Sequence, residues 1–178
     1  MVKSILLYNC CTWGLTKQDE LNLNSFHRQQ LRKVIGIRWP HVIRSKNVYR
    51  LTNQKPVTIE ITERRWKMLG HVLRLDKNTP ARKAMKFFFE KRESSKKFKG
   101  RKRASIVTTI NNDIAKTKSI NPNFAIKKLK TEVDLHNIGS KAGNRKQWKI
   151  IVATVVKAAY SDISTYKPVE EAGLEEMI

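Results

Sequence analysis

The sequence is short of acid: 15 Asp and Glu stand against 37 Lys and Arg, a formal charge of +22 over 178 residues. Such an excess repels itself in any compact state. It points to a polyanionic partner, nucleic acid before an anionic membrane surface. Cysteine is nearly absent too. Cys10 and Cys11 are neighbours, and a bridge between adjacent residues is strained, so no disulfide framework is expected. Reduced thiols imply an intracellular protein, in nucleus or cytoplasm. No apolar run approaches the ~20 residues of a membrane span, and "SILLY" has neither the length nor the cleavage site of a signal peptide. No membrane partner is expected.

The chemistry of catalysis is equally thin. Five aspartates, Asp19, Asp76, Asp113, Asp134 and Asp162, are never adjacent, so the paired carboxylates of a two-metal site are missing. The seven glycines are scattered and form no phosphate loop. His27, His41, His71 and His136 have no zinc-site spacing with the two cysteines. The sequence therefore predicts no catalytic residue, no metal, no cofactor and no small-molecule substrate. Cys10 or Cys11 reads as a buried thiol beside "ILLY" rather than as a nucleophile.

What is present is helical periodicity. "VKSILLYNCCTW" fits a short strand or a helix end. "LTKQDELNLNSFHRQQLRKVIGI" reads as a helix, with Thr16 and Asp19 in a capping-box pattern and Gly36 as its stop. Leu23, Phe26, Leu31, Val34 and Ile35 fall near one face. A connector broken by Pro40 and Pro56 holds a short helix capped by Ser45. In "PVTIEITERRWKMLGHVLRL", Ile59, Thr62, Trp66, Leu69 and Leu73 make one stripe, and Ile61, Met68, Val72 and Leu75 a second. A surface that wide predicts a helix buried on two sides. Gly70 within it implies a close neighbour. "TPARKAMKFFFE" has Pro80 at a first helical position, though "KFFFE" also fits a strand. Three further helices are expected in "ASIVTTINNDIAKTK", in "NPNFAIKKLKTEVDL" with Phe124 or Ile126, Leu129 and Val133 inside, and in "GNRKQWKIIVATVVKAAYS", where the β-branched run keeps a strand open.

Two basic clusters stand out. Arg64, Arg65 and Lys67 flank Trp66. "KRESSKKFKGRKR" carries eight basic residues against one acid, with Lys96, Lys97, Lys99, Arg101, Lys102 and Arg103 as candidate phosphate contacts; a targeting signal is the competing use. Arg28, Arg32 and Arg74 lie on helix circumferences and join the candidate set. His71 is read either as a base or stacking ring, or as a partly buried histidine with satisfied nitrogens. Trp66 is read either as a stacking platform or as core.

The segment from Ser4 to Leu75 resembles the region following the polymerase core of non-LTR (LINE-type) retrotransposon reverse transcriptases. Leu6, Leu7, Tyr8 and Trp13 are similar to that family's "LLYG-E-W". Phe26, Arg28, Leu31, Arg32, Gly36, Ile37 and Trp39 are similar to its "F-R--LR-I-GI-W". Thr52, Gln54 and Pro56 match a "T-Q-P" connector, and Arg64, Arg65, Gly70, His71, Leu73 and Arg74 an "RR---GH-LR" helix. The likeness is close over roughly the first 90 residues. It continues through "KGRKR" and "NRKQWKIIV", the latter similar to a "DR--W--LV" element. Asn9 and Cys11 depart from the Gly and Glu of the first motif, Asn144 from the Asp of the last, and Lys102 from a Pro.

The Tyr-x-Asp-Asp carboxylates and the endonuclease of such proteins are absent. The resemblance thus implies a thumb-like part of an enzyme and not an enzyme, with Met1 opening inside what would be a continuous domain. The sequence predicts a mainly α fold of about six helices. A helical domain over 1–90, a basic linker over 91–103, a smaller helical unit over 104–167 and an acidic tail over 168–178 are expected. The implied function is non-specific RNA or DNA backbone binding. The alternatives are a truncated retroelement remnant without selected activity, or an independent basic RNA-binding protein.

Overall fold

The computed structural model describes residues 2–94 and 104–161, with side chains over 4–89 and 104–161. Among these residues there are eight α-helices and no strand: α1 Val2–Leu6, α2 Lys17–Val34, α3 Ser45–Leu51, α4 Val57–Arg74, α5 Pro80–Ser94, α6 Ile106–Ile120, α7 Glu132–Gly143 and α8 Arg145–Ser161. A 3-10 turn, Cys10–Thr12, follows α1. Two of the eight, α1 and α3, are short, of five and seven residues. "KFFFE" and the β-branched run of α8 are both helical.

Local chemistry sets several of these limits. The Thr16 hydroxyl accepts from the Asp19 amide at 3.2 Å, and Asp19 Oδ2 accepts from the Thr16 amide at 2.9 Å, closing the capping box of α2. At the other end Gly36 takes φ +72°, the left-handed region open to glycine. The Ile37 amide then reaches the Arg32 carbonyl and the Gly36 amide the Lys33 carbonyl, a Schellman termination. Pro80 is the first residue of α5. Ser45, expected as a cap, is instead the first helical residue of α3, after an Arg44 that makes no side-chain cap.

Helix α4 is the axis of the fold. Both predicted stripes are real: Ile59, Thr62, Trp66, Leu69, Leu73, Ile61 and Val72 are buried, with Met68 and Leu75 partly so. Trp66, Leu69 and Leu73 join a cluster with Phe89 of α5, Val107, Ile110 and Ile114 of α6, Leu135 and Ile138 of α7, and Trp148, Ile151, Val152 and Val155 of α8. Val57 and Ile61 look the other way, into a smaller cluster with Leu7 and Cys10 that Trp13, Leu15 and Leu23 flank. Burying a Leu, Ile or Val side chain contributes about 1.5–3 kcal/mol, so the first cluster dominates.

That cluster joins the segments expected as two helical units. It draws on both sides of the basic stretch, so 1–90 and 104–161 share one core. The Leu15 amide also donates to Thr109 Oγ1 at 3.2 Å, and Lys116 pairs with Glu20 at 3.3 Å. Helix α5 runs on to Ser94, into the stretch expected as linker; 95–103 and the tail from 162 onward lie outside the described residues.

The helix expected from Asn121 is also corrected. Residues 121–131 are non-helical, and α7 starts at Glu132 behind a Thr131–Asp134 capping box. Phe124, Ile126 and Leu129 point inward from this extended segment, whereas Val133 is 67% exposed. The Asn111 amide holds it by two bonds, donating to the Leu129 carbonyl at 2.9 Å and accepting from the Leu129 amide at 2.7 Å. On α2, Asn24 and His27 are buried while Phe26 and Val34 are exposed, so its inner face is rotated from the apolar one expected. Asn24 faces α4, donating to Thr58 Oγ1 at 2.9 Å.

Candidate nucleic-acid interface

The outer face of α4 follows from its register. With two stripes buried, the residues left over recur at helical spacing: Arg64, Lys67, His71 and Arg74, all exposed. Arg64 Nη2 lies 3.1 Å from Glu60 Oε1, and Lys67 Nζ 2.5 Å from Glu63 Oε1. These are acid-before-base pairs one turn apart, the favourable orientation on a helix surface. Exposed pairs of this kind hold their cations loosely and leave them open to a competing anion. Arg74 donates to the Ala142 carbonyl at 3.2 Å, which sets the C-terminal end of this face beside the α7–α8 turn. His71 is exposed, not partly buried as one of its two readings had it.

Arg65 does not belong to this face, and the sequence expectation for it is corrected. Its side chain is 1% exposed, with Nη1 2.7 Å from Asp113 Oδ2. The same oxygen accepts from Trp66 Nε1 at 2.9 Å. Desolvation pushes the Asp113 carboxyl above its ordinary value, against the pull of the Arg65 guanidinium and the indole N–H. No phosphate can reach this pair. Trp66, fully buried, is core rather than a stacking platform.

Arg28 and Arg32 face α3 instead of sharing the α4 surface. Arg32 donates to the Ile43 carbonyl at 3.1 Å and reaches Ser45 Oγ at 3.5 Å. Arg28 lies against Tyr49, whose phenol burial pushes above its usual value while Arg28 pulls it back. Both are half-buried and fix the loop before α3. Lys96, Lys97, Lys99, Arg101, Lys102 and Arg103 lie outside the described residues. Cys10 is buried, and desolvation raises its thiol, which disfavours a nucleophilic thiolate. Among the described residues no three His, Cys, Asp or Glu side chains cluster as a metal site would need, and no helix is long and apolar enough to cross a membrane.

A second cationic surface escaped the sequence reading. An open groove of about 950 Å³ runs between α5 and α7, with Lys77, Arg82, Lys83 and Lys86 along it. The available signal was "KFFF". Three consecutive helical residues span about 200° of arc, too wide for one buried stripe. Phe89 is 2% exposed, Phe88 packs at the core margin, and Phe87 is left 59% exposed in the groove.

Residues of two helical motifs read from the sequence, around Gly70 and around Trp148, meet in space. Asn144 Oδ1 accepts from the Lys146 and Gln147 amides, each at 3.1 Å, as an N-cap does. That cap starts α8 so that Trp148, one turn in, reaches Gly70. Compared with protein-family models, with curated proteins and with solved structures, the chain gives no match.

Proposed function

We propose that this chain binds nucleic acid through its phosphate backbone and performs no reaction of its own. The observation that carries this reading is the outer face of α4. A helix anchored on two sides by the core presents Arg64, Lys67 and Arg74 on its one free side. They stand in a chain with a +22 charge that has few acids to offset it. Rigid mounting lets these cations meet phosphates without first paying the cost of ordering a backbone. The basic stretch through Arg103 adds contacts that need no fixed geometry.

The same reading accommodates the resemblance to the post-polymerase region of non-LTR reverse transcriptases, where such a helical unit grips a template–primer or target duplex. The test is a fluorescence-anisotropy titration of RNA and DNA duplexes at rising salt. Displacing counterions from Z phosphates gives a log–log slope of about −0.9Z on B-form DNA, so three to five contacts predict a slope between about −2.7 and −4.5. An affinity independent of salt rules the mechanism out.

A further inference from the structure

The groove between α5 and α7 combines two properties that the α4 face lacks. It is concave, with a volume of about 950 Å³, at the upper end of the range for clefts that enclose small planar ligands. It also displays apolar surface to solvent. Phe87 on α5 is 59% exposed and Val133 on α7 is 67% exposed, and both line it. An aromatic ring left open in a cationic groove is the arrangement on which unpaired bases stack.

Its electrostatics are one-sided. Glu132 is the one carboxylate among the described lining residues, and it pairs with Lys86 at 3.3 Å. Lys77, Lys83 and Arg82 face no other acid among the described lining residues. Arg82 is half-buried, and its Nη1 is covered by protein without a hydrogen-bond partner. A partly desolvated guanidinium with no free carboxylate beside it among the described lining residues is a costly group. An incoming phosphate would lower that cost, which duplex binding on the flat face of α4 would leave in place.

We propose that the α5–α7 groove is a subsite for single-stranded nucleic acid, with an unpaired base on Phe87 and the flanking phosphates on Arg82 and Lys83. This rests on the backbone-binding reading above and adds to it a preference for unpaired strand.

The test uses the 178-residue chain with three fluorescein-labelled probes of about twelve nucleotides: a single strand, the same strand made abasic, and a duplex. Phe87→Ala removes only an exposed ring, and an unchanged thermal melt verifies its fold. It is expected to weaken the single strand roughly tenfold or more and to leave the abasic strand and the duplex within about twofold. Lys83→Glu is expected to weaken both single strands and spare the duplex. Equal loss on all three probes, or no loss on the single strand, overturns the groove assignment while backbone binding stands. If the unaltered chain binds none of the probes, backbone binding fails and the subsite with it. Competition by polyglutamate that Phe87→Ala weakens, with the single strand unaffected, assigns the groove to an acidic peptide and overturns the proposal.

Discussion

The indole of Trp148 lies across the backbone of Gly70 and donates its Nε1–H to the Trp66 carbonyl at 3.1 Å. A Cβ at position 70 would overlap Nε1, Cε2 and Cδ1 of that ring. The two indoles, Trp66 and Trp148, sit 5.9 Å apart at a tilt of 32°. Glycine here is a packing requirement, held against a helix-propensity cost of about 1 kcal/mol.

Gly70→Ala is therefore expected to destabilise the fold despite its better propensity, because overpacking costs about 1–3 kcal/mol. Trp148→Ala should cost about 3–5 kcal/mol. The double variant should fall well short of the sum, since the alanine methyl then enters space the indole vacated. Urea denaturation of the four proteins measures the coupling. Strict additivity would mean that the two residues do not compete for that volume.

The buried pair of Arg65 and Asp113 gives a second cycle. Asp113→Asn keeps an acceptor for the Trp66 indole but strands a guanidinium that is 1% exposed. Breaking a buried pair from one side costs about 3–5 kcal/mol. The double variant Arg65→Met, Asp113→Leu removes both charges together and is expected to be much closer to the parent in stability. If Asp113→Asn melts as the parent does, the pair contributes nothing to the fold.

The fate of Arg65 shows where the sequence stopped being legible. Its partner is 48 positions away, and "ERRWK" distinguishes Arg64 from Arg65 only through the phase of the buried stripes. The stripes themselves were readable: Arg65 adjoins Trp66 on the inner side, whereas Arg64 and Lys67 fall outside. Likewise the Thr16 box and Gly36 are local signals that folded as read.

Residues 121–131 were not readable as a helix or a loop by composition, since "AIKKLKTEV" has good helix formers. What decides is the grip of Asn111 on Leu129 and the burial of Phe124 and Ile126 on alternate positions. The first is a long-range contact. The second, with Thr131 and Asp134 spaced as a capping box, was a local sign that α7 starts late. The packing of the segments on either side of the basic stretch was not legible either. A basic run marks exposed chain, and it says nothing about whether the segments on either side pack together.

That capping box predicts a pH dependence. Asp134 Oδ2 accepts from the Lys130 amide at 2.9 Å and the Thr131 amide at 3.0 Å. These bonds, the Lys130 amide above all, hold its carboxyl below the ordinary value. A depressed folded pKa adds stability above the unfolded value of about 3.9, which is lost as the pH falls through the folded value. Asp134→Asn should thus melt below the parent at pH 7. The gap should close only as the pH drops below about 4. A gap of constant size from pH 7 to pH 2.5 would show that the carboxylate charge is not what caps α7.

The outer face of α4 separates binding from folding at adjacent positions. Arg64→Gln and Lys67→Gln each remove an exposed cation whose pair with an acid one turn earlier is worth about 0.3–0.5 kcal/mol. Stability should barely move. If both side chains meet phosphates, each loss should make the salt slope of duplex binding shallower by about 0.9, and the double variant by about twice that. Arg65→Gln, one residue along, should do the reverse: a lower melting temperature from the uncompensated Asp113 carboxylate, and an unchanged salt slope for the protein that remains folded. Paired melts and anisotropy titrations on the three variants check both halves. A salt slope that responds to Arg65 and ignores Arg64 and Lys67 would move the interface away from this face of α4.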